Sequence, residues 1–157
     1  MGPQQSGKQF EVLFDKLALM RGFYPIRIPN GFQITQQFPL KGFLIKSPFD
    51  YILEHNDHGI AFLDLKTIAT KKFPTALIKP HQIKILDRLG SKNVAGFLVW
   101  YRKVDLVVFF TAKHASLSAN LCMADGLAIG KLHDMDLVKL MISGNKSPDN
   151  KSSGCPD

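Results

Sequence analysis

Acidic residues are in short supply in this 157-residue chain: 13 Asp and Glu stand against 20 Lys and Arg, for a net charge of +7. That imbalance points to an anionic partner, with nucleic acid first in line. Cysteine is scarcer still. Cys122 and Cys155 are too few and too far apart for a zinc site, and because Cys155 sits in a polar tail, no disulfide is expected. No apolar run approaches the length of a membrane span, and the first residues lack the basic-then-apolar layout of a signal peptide. A cytosolic location is the default expectation. Internal repeats are absent, as is the aromatic pattern of a ribonucleoprotein module. What remains is ordinary for a globular protein, with 45% hydrophobic and 21% charged residues, and the length suits one domain with a proper core.

The most informative stretch runs from Ser47 to Thr67 (SPFDYILEHNDHGIAFLDLKT). Two runs rich in aromatic and branched residues flank the polar turn 54–59, which predicts a β-hairpin. Alternation along the second strand puts Asp64 and Lys66 on one face, with Leu63 and Leu65 on the other. If Glu54 pairs with Ile60, Asp50 faces Asp64; a slip of one residue puts it opposite Leu63 instead. The first register sets two carboxylates side by side, which is costly without compensation. A divalent cation such as Mg²⁺ would supply that compensation. Lys66 could then hold an attacking water or offset phosphate charge. The competing account is a solvated sheet face whose charges happen to alternate.

Elsewhere, MGPQQSG (1–7) reads as a disordered polar N-terminus. Lys8 to Arg21 has the apolar spacing of an amphipathic helix that stops at Gly22 and carries Glu11 in its first turn. FYPIRI (23–28) reads as a short strand. The following segment, with residues 32–43 at its centre, alternates apolar with Gln and Thr residues and is broken by Pro39 and Gly42. It is either an excursion that leaves the domain and returns, with Lys41 and Lys46 adding positive charge, or an irregular edge strand plus loop. Residues 69–76 form a loop holding Lys71 and Lys72. A helix is expected from Pro80 to Gly90, placing His81 and Gln82 in its first turn and Lys84 and Arg88 outward. Residues 94–102 and 105–111 read as two buried strands. Residues 114–123 have no strong period, a weak helix ends near Ile142, and 143–157 is a disordered tail. The folded unit is thus expected to be 8–142. Gly126 to Lys131 mimics a phosphate loop but is one residue short, and Leu132 stands where a Mg²⁺-binding Ser or Thr would be. A polar turn likewise accounts for His55, Asp57 and His58 without a metal.

Taken in order, a helix with Glu, a strand, a strand with Asp, a strand with D-x-K and a helix resemble the PD-(D/E)XK nuclease superfamily, and most specifically the RecU-type Holliday junction resolvases. The likeness covers roughly Gly7 to Thr111. Gly7-Lys8-Gln9-Phe10-Glu11 resembles that family's opening helix, Ser47-Pro48-Phe49-Asp50-Tyr51 its S-T-T-D-Y segment, and Gly59 to Thr67 its strand carrying E-x-K. Phe73-Pro74 and Pro80-His81-Gln82-Ile83 are similar to its F-P-L and H-Q-I pieces. Asp64 replaces the usual Glu, and Pro48 and Phe49 replace two threonines. The shorter segment fits a phage or mobile-element version.

The resemblance implies an α/β fold with a restriction-endonuclease-like core, a central mixed sheet flanked by helices and a protruding stalk. It implies Mg²⁺ (Mn²⁺ substituting) held by Asp50, Asp64 and Glu11, with Lys66 catalytic and Gln82 near the site. It further implies branched DNA as substrate, cut by paired symmetric nicks, and a homodimer. Lys41, Lys46, Lys71, Lys72, Lys84 and Arg88 are the expected phosphate contacts.

Overall fold

The computed structural model describes residues 2–29, 31–34, 42–45, 47–144 and 146. It is an α+β protein built on a mixed six-stranded sheet in the order β1-β4-β5-β7-β8-β10. The strands are β1 (Tyr24–Arg27), β4 (Tyr51–His55), β5 (Gly59–Ile68), β7 (Val94–Tyr101), β8 (Leu106–Thr111) and β10 (Leu127–Gly130). Neighbours are antiparallel except β5 and β7, which run parallel. A parallel pair needs a crossover, and here the crossover carries β6 (Lys72–Pro74) and helix α2 (Pro80–Leu89).

Two cores cover the two faces of the sheet, and the period-2 alternation of β5 and β7 separates them. On one face Leu63 and Leu98 meet Phe10, Phe14 and Leu17 of α1 (Pro3–Met20) and Leu137 and Leu140 of α4 (Leu137–Ser143). On the other, Phe62, Phe97 and Val99 meet Leu86 of α2, Ala112 and Ala115 of α3 (Ala112–Leu117), and Phe73 and Leu121. Every residue of β7 is buried, as a central strand covered on both faces requires.

Helix α1 begins at Pro3, so residues 3–7 are helical and the expected disordered N-terminus is corrected. Pro3 is preset for the first helical position. The Gln5 side chain accepts from Gly2 N at 3.3 Å, and the buried Ser6 hydroxyl donates to Pro3 O at 2.9 Å. These contacts satisfy groups that the polar composition alone leaves unassigned. The helix stops at Gly22, whose φ of +79° suits only glycine at low cost.

Strands β2 (Gly31–Ile34) and β3 (Gly42–Ile45) form a separate two-stranded antiparallel sheet, with Phe32 opposite Leu44. This ribbon lies in sequence between β1 and β4 and takes no part in the main sheet. The remainder of the 32–43 excursion, with Lys41, falls outside the described residues, as does Lys46.

The expected loop at 69–76 contains β6, which pairs with β9 (Asn120–Cys122) and sets buried Phe73 opposite buried Leu121. Strands this short show no period, and this explains the miss. Residues Leu127–Gly130, inside the phosphate-loop mimic, are the edge strand β10. Cys122 is disulfide-bonded, contrary to the expectation of unpaired cysteines; Cys155 lies outside the described residues. Among the described residues, no helix is long and apolar enough to cross a membrane.

Candidate functional site

The β4–β5 hairpin positions the first two carboxylates. Its ladder runs from His55↔Gly59 through Glu54↔Ile60 to Tyr51↔Leu63, the register expected from the turn. The regular ladder ends at Tyr51. Asp50 N donates to Leu63 O at 3.0 Å, Asp50 O accepts from Ile28 N at 2.8 Å, and the Asp50 carboxylate Oδ2 accepts from Leu65 N at 2.8 Å. Asp50 is therefore fixed at three points where β1, β4 and β5 meet.

Asp64 lies on β5 with 1% of its surface exposed, on the face covered by α2. Its Oδ1 accepts from Gln82 Nε2 at 3.0 Å. Its Oδ2 is the ion-pair partner of Lys66 Nζ at 2.6 Å and has no further hydrogen-bond partner among the described residues. Burial, reinforced by repulsion from the Asp50 carboxylate, pushes the Asp64 carboxyl up to about 7; Lys66 pulls in the opposite direction. Two carboxylates thus oppose each other in a poorly solvated place, and one ammonium only partly offsets them.

Gln82 ties α2 to this pair. Pro80 opens the helix, and Gln82 stands at its third position, where its Oε1 accepts from Lys79 N at 3.4 Å in a capping arrangement. The same Oε1 is 3.5 Å from Lys66 Nζ, which donates to it. The Lys66 side chain is 23% exposed, so its ammonium is held between Asp64 and Gln82 yet remains reachable from solvent.

Glu11 sits on α1, the helix packed on the opposite face of the sheet. Its carboxylate Oε2 is bonded by Arg27 Nη2 from β1. Burial raises the Glu11 carboxyl, Arg27 lowers it, and Asp50 raises it again, so Glu11 feels the Asp50 charge from across the sheet end. Even so, the expected set of Glu11, Asp50 and Asp64 is not one cluster. Among the described residues, no group of three His, Cys, Asp or Glu side chains could hold a metal ion. Sequence reasoning did not single out Arg27. Its one available signal was its position as the sole charged residue of FYPIRI.

Of the expected phosphate contacts, Lys71 precedes β6 and is exposed, whereas Lys72 on β6 is half-buried. Lys84 and Arg88 lie one turn apart on the exposed side of α2, the helix whose buried side carries Gln82. Lys41 and Lys46 lie outside the described residues. No protein-family model matches the chain, and no curated protein matches it.

Proposed function

We propose that this chain is a metal-dependent endodeoxyribonuclease of the PD-(D/E)XK kind, acting as a RecU-type resolvase on four-way DNA junctions. The observation that carries this reading is the Asp64–Lys66 ion pair at 2.6 Å on β5, with Asp50 close enough to raise the Asp64 carboxyl. An aspartate without a partner cation in such a place would be protonated or absent. The order of elements, with the Glu-bearing helix first and the Gln-bearing helix after the D-x-K strand, supports the same reading.

The donor set fits a hard divalent cation. Asp50 and Asp64 offer carboxylate oxygens, and the Asp64 Oδ2 meets only the Lys66 ammonium among the described residues. These two would hold Mg²⁺, or Mn²⁺ in its place. Such an ion, when bound by them, would supply positive charge to a phosphate and make a water more acidic. Lys66 orients the attacking water from its place between Asp64 and Gln82 and offsets charge on the phosphate. Gln82 keeps the Asp64 carboxylate in one orientation, and Asp50 is kept in place by Leu65 N. Lys71, Lys84 and Arg88 offer exposed cations to the phosphate backbone. Paired symmetric nicks in a four-way junction call for two copies of the site, hence a homodimer. The β2–β3 ribbon would act as the stalk that separates the arms, reading the junction by shape.

The test is cleavage of a labelled synthetic four-way junction with and without Mg²⁺, beside a linear duplex of matching sequence. Paired nicks in the junction alone establish the resolvase. Equal cutting of the duplex retains the nuclease site and removes the junction specificity. Tight junction binding without cutting in Mg²⁺ or Mn²⁺ favours a non-catalytic junction-binding protein.

A further inference from the structure

We infer that Arg27 is a positioning residue for the metal site: it holds Glu11 out of the Asp50–Asp64 pair in the DNA-free protein and gives it up when a phosphate takes its place. The inference rests on the nuclease reading above and deepens it.

Three observations carry it. The Arg27 guanidinium bonds the Glu11 carboxylate directly, and no three-acid group capable of holding an ion forms among the described residues. Arg27 is opposite Tyr51 in the β1–β4 ladder, and the next residue, Ile28, donates its N–H to Asp50 O at 2.8 Å. The Arg27–Glu11 pair therefore sits at the strand end that holds Asp50. The Arg27 side chain is also 61% exposed while that of Glu11 is 24% exposed, so an incoming anion reaches the guanidinium before it reaches the carboxylate.

A guanidinium binds phosphate and carboxylate with the same fork of donors. A DNA phosphate arriving at this edge competes with Glu11 for Arg27 on equal chemical terms. Glu11, once released, is a third oxygen donor beside Asp50, and a divalent cation is what makes that approach favourable. Without DNA, the site has two of its three acids. Metal would then bind more tightly when substrate is present, so that Arg27 links loading of the site to arrival of the phosphate.

The experiment is calorimetric titration of the DNA-free full chain with Ca²⁺ alone, a probe that requires no turnover. Arg27→Gln is expected to bind Ca²⁺ about three-fold more tightly than wild type, the scale of an exposed ion pair released. Arg27→Lys keeps the charge and should return the affinity to near the wild-type value. Combining Arg27→Gln with Glu11→Gln should abolish the gain, leaving the double variant equal to Glu11→Gln alone. If Arg27→Gln leaves Ca²⁺ affinity unchanged or weaker, the positioning role is wrong although the site stands. A gain that persists in the double variant also overturns it, because the effect would then be through-space charge and not release of Glu11. Asp64→Asn is the control for the reading beneath: if it binds Ca²⁺ as well as wild type does, the metal site itself fails, and the role of Arg27 fails with it.

Discussion

Gln82 donates from Nε2 to Asp64 Oδ1 at 3.0 Å, so the helix that joins the two parallel strands is fastened to the most buried charged side chain of the sheet. The other end of the same amide meets Lys66 Nζ and Lys79 N. One side chain thus closes the first turn of α2 and orients both members of the Asp64–Lys66 pair.

Gln82→Ala should therefore cost both stability and activity. It removes the donor to a buried carboxylate and one helix-capping acceptor, a loss of about 1–3 kcal/mol. Urea unfolding measures the first effect, and single-turnover junction cleavage the second. Gln82→Glu should be worse for folding above neutral pH, because it sets a third negative charge against Asp64. Wild-type stability in both variants would remove Gln82 from the arrangement.

Lys66→Met retains much of the side-chain length and removes the ammonium. Cleavage is expected to fall by about 10²–10⁴-fold, the range for loss of a positioned proton-handling or charge-stabilising group, with junction affinity changed little. Loss of the one cation paired with Asp64 among the described residues also pushes the Asp64 carboxyl further up. A variant that cuts at the wild-type rate would show that Lys66 serves only to neutralise Asp64.

Asp50→Asn separates the carboxylate's charge from its structural bond. The amide oxygen can still accept from Leu65 N, so the β4–β5 junction should fold as before. Repulsion on Asp64 disappears, and cleavage should be lost while binding of the junction persists. Circular dichroism with a gel-shift titration checks folding and binding in the same samples. Unchanged cleavage would exclude Asp50 from the site.

Much of this arrangement was legible from short-range pattern. Alternation placed Asp64 and Lys66 on one face, the 54–59 turn set the hairpin register, and Pro80 and Gly90 bracketed α2 almost to the residue. These features are local, because each depends on neighbours within a turn or a strand. What was not legible is long-range or too short to have a period. The Arg27–Glu11 pair links a helix to an edge strand, the β6–β9 sheet joins three-residue strands across the chain, and the start of α1 depends on caps contributed by Pro3 and Gln5. The contact between Gln82 and Asp64 also required the crossover to be folded before it could be seen.

The close approach of β7 and β8 is as testable as the site. A Cβ on Gly96 would run into Phe110 O and lie 2.9 Å from the Phe109 ring. Backbone on the neighbouring strand cannot move aside as a flexible side chain would, so Gly96→Ala should destabilise the protein by about 1–3 kcal/mol or more. Because Gly96 is also opposite Thr111 in the ladder and one strand away from Leu63, the strain should reach β5. Thermal unfolding of the variant measures the loss; an unchanged Tm would mean that the two strands are not packed this tightly.

The pH dependence of stability follows from Asp64. Its carboxyl ionises near 3.8 in an unfolded chain and at about 7 in the folded one, principally because of burial. Between those values the native state holds a proton that the unfolded state has released, so stability falls as pH rises through that window and the penalty is complete above it. In chelator, Asp64→Asn removes the ionisable group while its amide oxygen can still accept from Gln82. The variant should therefore gain Tm over wild type at pH 8.5 and keep only a minor part of that gain at pH 5, which lies inside the window. Saturating Mg²⁺ should raise the wild-type Tm at pH 8.5, where the paired carboxylates are charged, and leave Asp64→Asn nearly unmoved. A stability difference that is the same at both pH values would mean that Asp64 is already ionised throughout and that Lys66 outweighs both its burial and Asp50.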